Sequence, residues 1–202
     1  MKKIISFSLW GTEMLYWQGA IENIKIARSL YPGWICRFYV DEKSDKRYIR
    51  LLQSQECEII FKQARGSCSG LVWRFLAADN ADIMICRDAD SRLSLREVYA
   101  VNDWLNSDKD FHIMRDHPLH TSLILGGMWG CRNMEGMNAL VENIPYEHQE
   151  VKGFDQYYLA KYIYPQIKDA ALIHDSYKLF GDGIDFPTKR IENEYVGAVI
   201  PV

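Results

Sequence analysis

The chain has 202 residues, a formal net charge of -3, 48% hydrophobic and 25% charged residues, which excludes a disordered or low-complexity polypeptide. At this length one α/β unit buries roughly 70% of its unfolded surface, so a single core suffices. The charge gives no broad basic field, excluding nucleic acid as a partner, and no apolar run approaches the about 20 residues of a membrane span.

Apolar runs alternate with segments of helical period: a strand over residues 4–9, a helix over 18–30, a strand over 34–40 and a helix over 45–54. The order continues with a strand at 58–61, a helix at 71–80 and a strand at 83–87. This βαβα succession predicts an α/β fold with a mostly parallel sheet, helices on both faces and right-handed crossovers. Pro32 and Gly33 punctuate the end of the first helix, because proline cannot continue it and glycine accepts the left-handed geometry that follows. Ser94 and Glu97 have capping-box spacing and start a helix over 94–106. Then come a strand at 111–114, a glycine-rich stretch at 126–130, a helix at 134–143 and a helix at 154–164 stopped by Pro165. Five cysteines, Cys36, Cys57, Cys68, Cys86 and Cys131, with no Cys-x-x-Cys pair argue for reduced thiols rather than a disulfide framework or zinc site. Met1, Lys2 and Lys3 lead into the first strand without a cleavage signal, so a cytoplasmic protein is expected.

The strongest chemical signal is Asp88-Ala89-Asp90 at the end of the apolar strand at 83–87. In strand geometry the two carboxylates point to the same side, and ligands of open α/β sheets sit beyond the carboxyl ends of strands. Two hard oxygen ligands suit Mg²⁺ or Mn²⁺ that takes its other ligands from water and substrate phosphates. Aspartates also cap helices, but Ser94 already supplies that cap.

These residues, together with Gly70 to Asp79 around Arg74, Gly126-Gly127, Asp155-Gln156 and His174-Asp175, resemble GT-A fold glycosyltransferases. The likeness is greatest to bacterial polysaccharide-type enzymes of glycosyltransferase families eight and thirty-two. It implies a nucleotide-diphosphosugar donor, a saccharide acceptor and a metal ion, Mn²⁺ or Mg²⁺. It also implies one unit, with residues 1–92 as the nucleotide-binding half, 93–180 as the sugar and acceptor half and 181–202 as a tail. Arg74 matches the arginine that helps bind the donor. Asp90 matches the metal ligand, Asp88 the residue that contacts ribose or metal, and His174 the late histidine that completes the metal shell. The family-eight pattern continues differently after that histidine, and Lys178 only weakly replaces its phosphate-binding lysine. Asp155 and Gln156 match a pair that faces the donor sugar or acceptor.

Ser8 and Trp10 follow the first strand and are expected at the nucleotide end of the sheet. Tyr16 and Trp17 either stack on the base or pack as buried aromatics, and Tyr157, Tyr158, Tyr162 and Tyr164 read mainly as packing. Gly126 and Gly127 allow either close backbone approach to a ligand or a tight turn beside Trp129. His112, Arg115, Asp116, His117 and His120 form a polar wall of the cleft in which Arg115 and Asp116 could position the donor sugar. Asp116 and Asp155 are the candidate bases for an inverting reaction, and the resemblance favours retention. The tail is a lid, a partner surface or a membrane-proximal anchor, which leaves a place at the inner face of a membrane open. A sugar-phosphate nucleotidyltransferase is disfavoured, since residues 10–16 lack a glycine-rich basic loop. A non-catalytic carbohydrate-binding domain remains as the third class.

Overall fold

The computed structural model describes residues 1–191 and 194–201. One seven-stranded sheet runs through them in the order β3-β2-β1-β4-β6-β5-β7. The strands are β1 (Lys3–Leu9), β2 (Trp34–Asp41), β3 (Glu58–Lys62), β4 (Ile83–Cys86), β5 (Phe111–Arg115), β6 (Trp129–Arg132) and β7 (Ala171–Asp175). β1 pairs in parallel with β2 and β4, β2 with β3, and β5 with β7, whereas β6 runs antiparallel between β4 and β5.

Alternation along the strands divides the core between the two faces. Ile5, Phe7 and Leu9 of β1 join Phe38, Val40 and Ile85 beneath the helices α1 (Met14–Leu30), α2 (Lys46–Gln53) and α3 (Leu95–Asn106). Helix α1 contributes Trp17, Ala20, Ile24 and Ala27, a spacing of three and four residues that forms one apolar stripe. Ile4, Tyr39, Met84 and Cys86 point to the other face, under a 3₁₀ helix at Ser69–Asn80 and the chain from 124 to 167. Trp17 is 3% exposed and stacks on Tyr48 at 5.4 Å, which makes it a core aromatic rather than a platform for a base.

Several boundaries differ from expectation for identifiable reasons. The segment before β4 is helical but winds as a 3₁₀ helix over twelve residues. The expected helix at 134–143 shrinks to α4 (Met137–Glu142), led in by Gly136 at φ 90 and capped by Asp79, whose carboxylate accepts from the amides of Met137 and Asn138. Pro165 does not stop the last helix. That helix begins as α5 (Phe154–Tyr158), widens to a π turn at Leu159–Ile163 and resumes as α6 (Tyr164–Ile167). The π turn changes the amide pairing next to Pro165, the one residue with no N–H to give. Ser94 caps α3 through the Glu97 amide, but the Glu97 carboxylate instead takes a buried ion pair with Arg87 and the Tyr31 hydroxyl. All five cysteines are unpaired thiols.

Candidate active site

The carboxyl ends of β1 and β4 lie side by side where the strand order reverses, and a crevice opens at such a switch point. Asp88 follows β4 directly into this crevice. The site is assembled around Arg74, in the middle of the 3₁₀ helix. Ser6 donates its hydroxyl to the Arg74 carbonyl at 2.7 Å, and the Ser8 hydroxyl accepts the Arg74 amide at 3.0 Å. Alternate residues of β1 therefore hold this turn by its backbone. Trp10 lies against Gly70, where a Cβ would come within 2.1 Å of the indole, and donates its N–H to the Ser67 carbonyl. Ser8 and Trp10, expected at the nucleotide, thus anchor the segment that carries Arg74.

The Arg74 guanidinium is 5% exposed and bridges two carboxylates, Asp88 Oδ1 at 2.5 Å and Asp155 Oδ2 at 3.1 Å. Gly126 and Gly127 roof the bridge. A Cβ on Gly126 would sit 2.2 Å from Asp155 Oδ2, and one on Gly127 2.0 Å from Asp88 Oδ2. Ser122 donates its hydroxyl to Gln156 Oε1 at 2.7 Å, which leaves the amide N–H groups of Gln156 to donate elsewhere. Arg74, Asp88, Gly126, Gly127, Asp155 and Gln156, together with Leu71, His120, Leu125, Met128, Lys152, Gly153 and Gly197, line a pocket of about 170 Å³. The structure thus gathers Arg74, Asp88, Gly126, Gly127, Asp155 and Gln156, which lie far apart in the chain. A cavity of about 490 Å³ lies at the opposite end of the sheet, at the start of β2 and β3 and the end of α1, but it is lined by none of these residues.

Burial, and then the charge of Asp88, raise the Asp155 carboxyl above the usual carboxylate range, against the pull of Arg74. Asp155 Oδ1 and Arg74 Nε are buried without a hydrogen-bond partner among the described residues. Asp90 stands outside the pocket. Burial, followed by the charge of Asp88, raises its carboxyl as well, and its carbonyl accepts the Ile200 amide at 2.9 Å. Burial, and then the charges of Asp90, Glu13 and Asp88, raise the Tyr16 hydroxyl of α1 above its ordinary value. Gly19 brings α1 onto this segment, because a Cβ there would meet the Ala89 carbonyl at 1.9 Å.

Three expected site residues are turned to structural work, which corrects their assignments. His174 is fully buried, with Nδ1 bonded to His112 Nε2 at 2.9 Å and Nε2 to Asp103 at 3.1 Å, so no ring nitrogen is left for a metal. Asp116, also fully buried, takes a two-pronged bond from Arg96 and further bonds from Ser176, Arg190 and the Val196 amide. Burial opposes its ionisation, but these donors prevail and hold it below the usual range, the wrong direction for a base. Arg115 is 1% exposed, pairs with Asp175 and doubly with Asp182, and cannot reach a donor sugar. Lys178 pairs with Asp185 on the surface. Of the residues expected to form a polar wall of the cleft, His120 does line the pocket, whereas Lys152 and Gly197 were not singled out in the sequence; for Lys152 the available signal was its place before Gly153 and the Asp155-Gln156 pair.

Asp88 and Asp90 supply hard oxygens, and no cluster of three or more potential metal-binding side chains occurs among the described residues. Two carboxylates fit a hard divalent cation whose remaining ligands are water and phosphate oxygen.

No protein-family model matches the sequence, and no curated protein matches it either. Solved structures do. The chain superposes on a glycosyltransferase involved in the glycosylation of the major capsid of PBCV-1, with a TM-score of 0.55 and 14% identity over 87% of this chain and 82% of that one. It superposes on the mannosyltransferase PcManGT from Pyrobaculum calidifontis in complex with GDP-Man and Mn²⁺, with a TM-score of 0.54 and 14% identity over 87% of this chain. The chain spans 55% of that enzyme. Glucosyl-3-phosphoglycerate synthase from Mycobacterium tuberculosis, in complex with Mn²⁺, UDP and glucosyl-3-phosphoglycerate, matches with a TM-score of 0.54 and 13% identity over 94% of this chain and 73% of that one. At such identities the likeness carries the architecture alone, and by its sheet order and superposition this chain shares the GT-A-type α/β fold of these structures.

Proposed function

We propose that the chain is a metal-dependent glycosyltransferase that moves a sugar from a nucleotide-diphosphosugar to a saccharide acceptor, as in surface polysaccharide or lipopolysaccharide synthesis. The observation that carries this reading is the Arg74 bridge between Asp88 and Asp155 beneath Gly126-Gly127, beyond the carboxyl end of β4. A divalent cation held by Asp88 and Asp90 would neutralise the diphosphate leaving group. Arg74 fixes the rotamer of Asp88 and so directs its second oxygen. Asp155, whose second carboxylate oxygen is buried without a partner, lines the pocket beside Gln156, whose free amide N–H groups can donate to sugar hydroxyls. A retaining course agrees with the resemblance to families eight and thirty-two, and Asp155 is the base candidate in the pocket if the reaction inverts. GDP-Man, UDP and Mn²⁺ in complexes of the structural relatives support this class of donor and metal. No helix of the described residues is long and apolar enough to cross a membrane. A place in the cytoplasm, at the inner face of a membrane, belongs to the same proposal.

The test is a thermal-shift screen of UDP-, GDP-, CMP- and dTDP-linked sugars with and without Mn²⁺. A ligand that binds the native state at 100 times its Kd stabilises it by about 2.7 kcal/mol. One nucleotide sugar is expected to raise Tm only with metal in the wild type and not in Asp90→Ala. A wild type that no nucleotide sugar stabilises under any metal would sink the transferase reading.

A further inference from the structure

His120 lines the pocket beside Asp88 and Gly127, and neither the metal pair nor the Arg74 bridge uses it. Its ring is oriented by the backbone. The Asp116 amide donates to His120 Nδ1 at 3.0 Å, and the His120 amide closes a turn onto the His117 carbonyl at 2.9 Å. Asp116 is itself held by Arg96, Ser176 and Val196, so the donor that fixes the imidazole is immobile. Tyr195 meets the ring edge-on with centroids 5.8 Å apart. A ring nitrogen that accepts an N–H carries its lone pair there, which in a neutral imidazole puts the proton on the other nitrogen. Nε2 therefore bears the hydrogen, and it meets no acceptor among the described residues.

The pocket tells what that hydrogen is for. Its charged groups are Arg74 and Lys152 against Asp88 and Asp155, so the formal charges cancel and a neutral, hydroxyl-rich ligand suits the pocket better than an anion. Burial and the neighbouring His117 lower the His120 imidazole to about 4, with Asp116 and Asp88 opposing, so the ring stays neutral at physiological pH. From these contacts we infer that His120 presents a neutral Nε2–H donor to one hydroxyl oxygen of the bound sugar and so helps to select which sugar the pocket accepts. The inference rests on the reading of the pocket as a sugar subsite. It also rules out two other jobs. A general base and a metal ligand both need a bare Nε2, and hence a proton on Nδ1, where the Asp116 amide already points.

The first experiment needs no sugar. Long-range ¹H–¹⁵N correlation on histidine-labelled protein at pH 7, assigned by comparison with His120→Gln, is expected to show the Nε2–H tautomer. An Nδ1–H tautomer or an imidazolium overturns the inference whatever the donor screen gives. The second measures affinity for the nucleotide sugar identified by that screen and for its free nucleoside diphosphate, each with Mn²⁺. One neutral hydrogen bond corresponds to a roughly 3- to 10-fold change in Kd. His120→Ala should weaken the nucleotide sugar by that factor and leave the nucleoside diphosphate unchanged, while His120→Gln, which carries an N–H near the position of Nε2, should recover most of the loss. Equal weakening of both ligands assigns His120 to the diphosphate and overturns the sugar contact. A wild type that binds the nucleoside diphosphate but no nucleotide sugar defeats both the transferase reading and the sugar contact, whereas a failed tautomer defeats the His120 inference alone.

Discussion

Gly126 and Gly127 show how a residue can be legible while its reason is not. A glycine pair between two strands suggests close approach of something to the backbone, and the structure shows that the protein's own carboxylates approach. The two positions are not equivalent. Both carboxylates are paired with Arg74, but the Asp155 side chain is 3% exposed and enclosed, whereas the Asp88 side chain is 41% exposed and, once displaced from that pairing, has solvent to turn into. Gly126→Ala is therefore expected to cost about 1–3 kcal/mol in urea denaturation, the range for overpacking a filled site. Gly127→Ala should cost roughly 1 kcal/mol or less yet abolish metal-dependent donor binding by displacing Asp88. The reverse order of stabilities would show that the roof is not what the glycines are for.

Among the elements, β6 and the paired ends of β5 and β7 could not be read from the chain. β6 is four residues long, contains Gly130, and pairs antiparallel inside an otherwise parallel succession. Its glycine is needed because a Cβ would come within 2.7 Å of the Met84 carbonyl, a contact that exists only once the strands are adjacent. The β5–β7 pairing sets Met114 opposite His174 and buries His112 against Trp104, at 5.4 Å and nearly parallel. Burial, with the neighbouring His174, depresses His112 far below its ordinary value, and burial lowers His174 against the pull of Asp103. A histidine neutral when folded takes up a proton more readily when unfolded. Its share of stability is therefore complete above the unfolded value near 6.5 and lost as pH falls below it, by about 1.4 kcal/mol per pH unit for each such histidine. Thermal melts between pH 7.5 and 5.5 should show Tm falling with pH in the wild type and a shallower fall in His112→Leu. Parallel profiles would mean that these histidines are not the acid-sensitive groups.

At the scale of the whole molecule, the tail is part of the body. Phe186 and Val196 pack with Ala100, Met114 and Met128 in a third apolar cluster. The Val196 amide reaches Asp116, the Ile200 amide reaches the Asp90 carbonyl, and Ser91 bridges to Val199. Residues expected at the donor, Arg115 and Asp116, are the ionic anchors for this return of the chain. Because Val196 is 1% exposed, Val196→Ala should cost about 1–3 kcal/mol, the scale for a buried aliphatic side chain, and loosen the backbone at Asp90. Unfolding free energy and amide hydrogen exchange at residues 88–91 and 196–200 would measure both; an unchanged exchange rate at 88–91 would separate the tail from the metal pair.

The sequence by itself determined the succession of strands and helices from β1 to β4, the helices expected on both faces of the sheet, and the carboxylate pair at the end of β4. These follow from periodicity and local chemistry, which act over a few residues. Only the tertiary structure decided which polar groups share a site. Arg74, Asp88, Gly126 and Asp155 meet across 81 residues of chain because Ser6 and Ser8 fix one turn while α5 delivers another. The same folding removed His174, Arg115 and Asp116 from the chemistry, since each found a buried partner of matching charge or hydrogen-bonding capacity far away in sequence. Local pattern specifies what a residue can do; the partner it meets on folding selects which of those things it does.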